Sequence, residues 1–209
     1  MFAIGHFAIG YLTGKASAKT LNVQLNMPLL LTASVIPDID LLLRFIHHRG
    51  PTHSIITIIA LTIPFLIYYR ITAVQYAVAL ASHSLIGDFF TGGVQLFWPL
   101  STEMIGALNI DVNSLTNSLL ELALFIVSIA VMFKTGDLRK ITSDKYKLAL
   151  LLPFGAVIGP MLAVGRGQEY ALPLLLVIPS LFYLALFAYS MLVGKRRRRK
   201  IKNCTHHQD

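Results

Sequence analysis

The sequence predicts an all-α, polytopic integral membrane bundle of about six or seven membrane helices, and three observations carry that prediction. Of 209 residues, 55% are hydrophobic and only 13% are charged, about half the charge of a soluble domain. The mean hydropathy is +0.66. The apolar residues also run in blocks, approximately 2–14, 27–46, 55–69, 73–98, 118–133, 148–164 and 171–194, as membrane helices require. The single cysteine, Cys204, lies in a polar tail, so the chain has no disulfide framework and no cysteine-rich metal site.

Taken in order, the first block is shorter than the ~20 residues of a comfortable span. It lacks the basic start of a signal peptide, so it reads as a retained helix, either re-entrant or a short span. The 27–46 block contains Pro37-Asp38-Ile39-Asp40. The short 55–69 block is extended by Tyr68, Tyr69 and Arg70 as an interfacial anchor. The 73–98 block carries Ser82-His83 and Gly87-Asp88 and ends at Phe97-Trp98-Pro99, an aromatic belt with a proline stop. Glu121, near the outer end of 118–133, is expected to reach the interface. Beyond residue 130 no acidic residue falls inside an apolar block. The chain therefore divides into a polar-motif half (1–100), a scaffold half of the same domain (101–194) and a basic tail (195–209).

Net charge is +8, and seven of the eighteen Lys/Arg lie within Lys195 to Lys202, directly after an apolar block. That is the cytoplasmic flank of a span and an attraction for anionic headgroups, not a nucleic-acid surface. Membrane lipids are the expected partners and nucleic acid is not; the oligomeric state is left open. With this tail in the cytoplasm and the blocks alternating, fifteen basic residues fall inside, and only Arg44, Arg49 and Arg166 fall outside. The expected location is the cell (plasma or inner) membrane, multi-pass. On this topology His6, Asp38, Asp40, His48, His53, His83 and Asp88 all lie at similar depth toward the extracytoplasmic side.

Two carboxylates in the stretch LLLTASVIPDIDLLLRF need a reason, since each costs at least ~2.5–3.5 kcal/mol near the bilayer centre. Pro37 breaks the helix there, and broken backbone at membrane depth survives only against protein or a wet cavity. Either Asp40 pairs with Arg44 one turn on and Asp38 is hydrogen-bonded, or one or both aspartates bind metal. Five of the seven histidines fall in the first 83 residues. His6, His48, His53 and His83 with Asp38, Asp40 and Asp88 suit one or two borderline divalent metals, zinc first, with manganese or iron as alternatives. His47 has no partner in this pattern and reads as interfacial. His83 and Asp88, five residues apart, lie ~140° apart around an ideal helix. They share a site only if the helix is distorted, for example by a π-bulge near Gly87. Arg49 is either a surface charge or the holder of a phosphate or carboxylate beside the metal.

These residues together resemble the membrane-bound metal-dependent hydrolases of the YdjM type. The resemblance rests on His6 in an early apolar helix, Pro37-Asp38-Ile39-Asp40, His48-Arg49-Gly50-Pro51-Thr52-His53-Ser54, and Ser82-His83 followed by Asp88, Thr91 and Trp98-Pro99. It covers roughly residues 1–100, and it departs in the His83–Asp88 spacing, which is longer than in many relatives. A more distant likeness to zinc-dependent phospholipase C and single-strand-specific zinc nucleases implies phosphoester hydrolysis, plausibly on a lipid. The expectation is then a metal-dependent hydrolase at the extracytoplasmic face. In it His6, Asp38, Asp40, His48, His53, His83 and Asp88 would be ligands, Asp40 a candidate base and Arg49 a stabiliser of phosphoryl charge. The rivals are a metal-ion or small-solute transporter with an intramembrane His/Asp site, and a non-catalytic scaffold.

Overall fold

A computed structural model of the chain describes residues 1–42, 47–143, 146–163 and 172–205. The described residues are mainly helical, with a long non-helical connection over 91–114 that holds one isolated β-bridge, between Val94 and Ile105. Three stretches among them are long and apolar enough to cross a membrane: Ile55–Asp88, Leu115–Thr135 and Leu174–Val193. A shorter apolar helix covers Lys147–Leu162. The all-α membrane fold is as expected. Arg44, the proposed partner of Asp40, lies outside the described residues.

Helix α1 (Ala3–Thr20) is longer than the apolar block that announced it and runs through the core. Ten of its first twelve positions, Ala3 to Tyr11 and Gly14, are buried on every side of the helix, the signature of a helix whose neighbours are protein rather than lipid. Gly10 and Gly14 let the following helix, α2 (Met27–Ala33), come close: a Cβ at Gly10 would collide with Ser34, and one at Gly14 with Leu30. The start of α1 is capped from a distance. Glu121 is fully buried, not interfacial, and accepts the backbone N–H of Phe2 at 2.8 Å and of Gly5 at 3.0 Å. Asn117 Nδ2 donates to the same carboxylate at 2.8 Å. A carboxylate on otherwise orphaned N–H groups is what a buried helix start needs.

After α2 the chain makes a tight 3-10 turn over Pro37–Leu42 and a second over Pro51–His53. Ser54 then caps α3 (Ile55–Tyr69), accepting from the N–H of Ile56 and Thr57 while donating to the Trp98 carbonyl at 2.7 Å. Fifteen residues carry α3 about 22 Å away from its start. Arg70, at φ 51°, ends it, and α4 (Val74–Ser82) returns. His53 before α3 and His83 after α4 approach to 3.1 Å, so Ile55–Asp88 is a hairpin and not one straight rod. Only Ile58 of α3 is buried, while Ile59, Ile63, Phe65 and Ile67 stay exposed, a face suited to hydrocarbon.

Helices α5 (Leu115–Thr135), α6 (Asp137–Ser143), α7 (Leu151–Ala163) and α8 (Val177–Thr205) form the second half. Gly136 at φ 71° makes the left-handed cap between α5 and α6. The halves share one apolar core, in which Phe7 of α1 packs on Tyr183 and Phe187 of α8 at ring-centroid distances of 5.0 and 5.6 Å.

At the far end of α1 Asp137 collects four donors: Lys15, Tyr11 Oη at 2.9 Å, Thr135 Oγ1 at 2.7 Å and Lys140 at 2.8 Å. Burial opposes ionisation of Asp137, but these donors outweigh it and hold its carboxyl well below the usual range. A depressed folded pKa means the stabilisation is complete above the unfolded value of ~3.9 and is lost only as pH falls through the folded one. Asp137→Asn should therefore cost about 1–3 kcal/mol at pH 7, read as a lower melting temperature in detergent. The gap from wild type should shrink at about pH 2–3; a gap of the same size there would contradict this account.

Candidate metal centre

The site lies where the two 3-10 turns, the start of α1 and the end of α4 meet. The predicted helix distortion is present: α4 passes into a π-turn over His83–Asp88. The extra residue per turn brings His83 Nε2 to 3.4 Å from Asp88 Oδ2. A Cβ at Gly87 would lie 2.6 Å from His6 Cε1 and 2.7 Å from its Nδ1. The glycine therefore gives the His6 ring its place, stacked on His83 at a centroid distance of 3.6 Å.

Asp40 is almost fully buried and serves both histidines of the HRGPTHS stretch. Its Oδ1 takes His48 Nδ1 at 3.0 Å, and its Oδ2 takes Thr52 Oγ1 at 2.8 Å and the Arg49 N–H at 3.2 Å, with His53 Nδ1 at 3.3 Å. The carboxylate can only accept, so His48 Nδ1 carries a proton. Thr52 gives its hydroxyl proton to Asp40, which leaves a lone pair 3.0 Å from His53 Nδ1, so that nitrogen is protonated too. His83 Nδ1 donates to the Ser34 carbonyl at 2.8 Å. In neutral imidazoles with Nδ1 protonated, the Nε2 lone pairs remain.

Those lone pairs face one another. His53 Nε2 and His83 Nε2 are 3.1 Å apart. Asp88 Oδ2 lies 3.2 and 3.4 Å from them, and Asp38 Oδ1 lies 3.7 and 3.4 Å from them. Four acceptors at such distances repel unless they share positive charge, either a proton on one imidazole or a metal ion. Ligands at ~2.0–2.1 Å around a tetrahedral ion are themselves about 3.3–3.4 Å apart, close to the spacing found. His6, with neither ring nitrogen hydrogen-bonded, adds a further buried donor 3.5 Å from Asp88 Oδ1.

The atoms that converge form two groups, His6, Asp38, His83 and Asp88 in one and Asp38, His48 and His53 in the other. Asp38 belongs to both, so its carboxylate would be shared if each group held an ion. Asp40 belongs to neither; its oxygens face the Nδ1 atoms of His48 and His53, the Thr52 hydroxyl and the Arg49 N–H. Arg49, in the left-handed region at φ 63°, reaches Asp88 Oδ1 at 3.3 Å through Nη2 and donates from Nη1 to the Thr91 carbonyl. The Met1 amine also donates to Asp88 Oδ1 and to Thr91 Oγ1, each at 2.7 Å. His47 is exposed, and its Nδ1 contacts only the His48 carbonyl among the described residues.

The family model of the YdjM inner membrane proteins matches residues 1–141. The chain belongs to the YdjM inner membrane protein family. The matched stretch holds every residue of the centre, from His6 to Asp88, together with Glu121. No curated protein and no solved structure matches the chain.

Ser34, Thr52, Gly87 and Gly92 escape a search for ligands because each contributes a carbonyl, a hydroxyl or an absent side chain. A Cβ at Gly92 would fall 2.6 Å from Arg49 Nη1, so this glycine seats the guanidinium as Gly87 seats His6. Gly87→Ala should lower zinc affinity at least about tenfold, measured by competition with a chromophoric chelator, with the helical circular dichroism unchanged. Zinc affinity equal to wild type would remove Gly87 from the centre.

Proposed function

We propose that the chain is a membrane-bound metal-dependent hydrolase that cleaves a phosphoester presented by a lipid. The supporting observation is the set of imidazoles whose Nδ1 protons are fixed from behind, leaving Nε2 lone pairs aimed at Asp38 and Asp88. His6, Asp38, His48, His53, His83 and Asp88 would hold one or two divalent ions, with zinc first and manganese or iron as alternatives. Such an ion supplies a polarised phosphoryl oxygen and a hydroxide near neutral pH. Asp40 is assigned to orientation: it fixes the tautomers of His48 and His53 and raises their basicity as ligands. Arg49 is the group placed to take a non-bridging phosphoryl oxygen, since its second contact, the Thr91 carbonyl, carries no charge.

Two features favour a lipid substrate on the extracytoplasmic side. Exposed apolar side chains, Ile39, Leu41, Leu85, Ile86 and Phe90, alternate with the site residues, so an amphiphile can approach without crossing a polar rim. Lys15, Lys19 and Lys140 lie at the opposite end of α1 from His6, in keeping with a cytoplasmic basic end and a cytoplasmic C-terminus.

Metal content by elemental analysis of detergent-purified protein is the first test. Wild type should carry about one to two ions per chain, and His53→Ala should lose at least one of them. Asp40→Asn should retain the ligands but bind about 10–100-fold more weakly. Release of phosphate or headgroup from a phospholipid panel should then depend on added metal and fall by about 100-fold or more in Arg49→Ala. Stoichiometric metal without turnover on any phosphoester, accompanied by metal-dependent flux in proteoliposomes, would replace the hydrolase with a transporter.

A further inference from the structure

At the end of the bundle remote from the metal centre a cavity of about 710 Å³ opens between the C-terminal turns of α1, the α1–α2 connection and the α5–α6 junction. Lys15 is nine residues beyond His6 in α1, about 13–14 Å along the axis, so the cavity and the centre share no residue. Its walls have two characters. Lys15, Lys19, Lys140 and Thr135 give the lining its cationic and polar part, and Ala18, Val23 and Leu25 give it apolar surface.

The cationic side is arranged rather than merely rich in lysine. Asp137, behind it, holds both Lys15 and Lys140 by their ammonium groups and is itself fixed by Tyr11 and Thr135. Two long side chains are thereby kept at the wall, with 24% and 43% of their surfaces still open. Lys19, one turn beyond Lys15 on the same face of α1, is exposed beside them. Among the described residues, three ammonium groups against the one carboxylate of Asp137 leave the cavity positive. A positive pocket with an apolar wall at the basic end of a membrane bundle fits a phosphate attached to an acyl chain.

We propose that this cavity binds a phosphate group, carried by an anionic phospholipid whose chains lie along the apolar wall, as a second site independent of the metal centre. Thermal unfolding of the full chain in maltoside micelles tests it, with dilauroyl phosphatidylglycerol, dilauroyl phosphatidylcholine or inorganic phosphate titrated in. Phosphatidylglycerol should raise the melting temperature saturably, and phosphatidylcholine should not. Lys19→Gln and Lys140→Gln should each shift the midpoint of that titration about fivefold, the loss expected of one cation. Lys134→Gln, at an exposed lysine outside the cavity, should leave the midpoint in place. Inorganic phosphate acting as well as the lipid, and losing its effect in Lys19→Gln, would support the phosphate site and assign it to the free ion. Equal protection by both lipids, no protection by any of the three, or equal losses in Lys19→Gln and Lys134→Gln would overturn the proposal.

Discussion

His53 Nε2 and His83 Nε2 lie 3.1 Å apart in a dry interior with carboxylate oxygens beside them, so positive charge, a shared proton or a bound metal ion, has to sit among them. The first half of the molecule is built around that constraint. The regular helix stops at Ala33, and Pro37 opens the tight turn from which Asp38 and Asp40 come, one toward the candidate ligands and the other behind them. Gly50 and Pro51 turn the chain so that His48 and His53 share the two oxygens of one aspartate. The π-turn at His83–Asp88 supplies the last pair, at the cost of regular helix geometry that only a specific set of contacts offsets.

Helix α1 couples this centre to the rest. Its N-terminal N–H groups are held by Glu121 of α5, its middle carries Phe7 against α8, and its last turns bring Lys15 to Asp137. A single helix, buried over its first half, thus sets the distance between the candidate metal centre at one end of the bundle and the basic cavity at the other. The second half, which carries no candidate ligand among the described residues, contributes through that helix: it fixes where His6 stands. The α3–α4 hairpin is the complementary element, anchored at both ends by His53 and His83 and open to lipid between them.

Much of the site was legible because intramembrane charge is costly and therefore sparse. Seven ionisable side chains in apolar surroundings stood out by composition alone, and six of them fall in the two converging groups. Asp40 shows the limit of that reading: from sequence it is equivalent to Asp38, two residues away, and only the fold decides which carboxylate meets His48 and His53 from behind. Glu121 shows another limit. Near the end of an apolar block it could reach water, but the start of α1 supplies N–H groups that reward burial.

The sequence by itself determined the environment and the chemistry: apolar blocks too long and too poor in charge for a soluble protein, basic residues gathered at connections and tail, and a His/Asp set suited to a divalent metal. Tertiary structure alone decided that the short first block is enclosed on every side by protein, and that His83 and Asp88 face the same point. The reason is physical. Composition and periodicity record the average surroundings of a segment, whereas ligand geometry depends on which buried groups meet across elements far apart in the chain, and on single departures from ideal helix such as one π-turn.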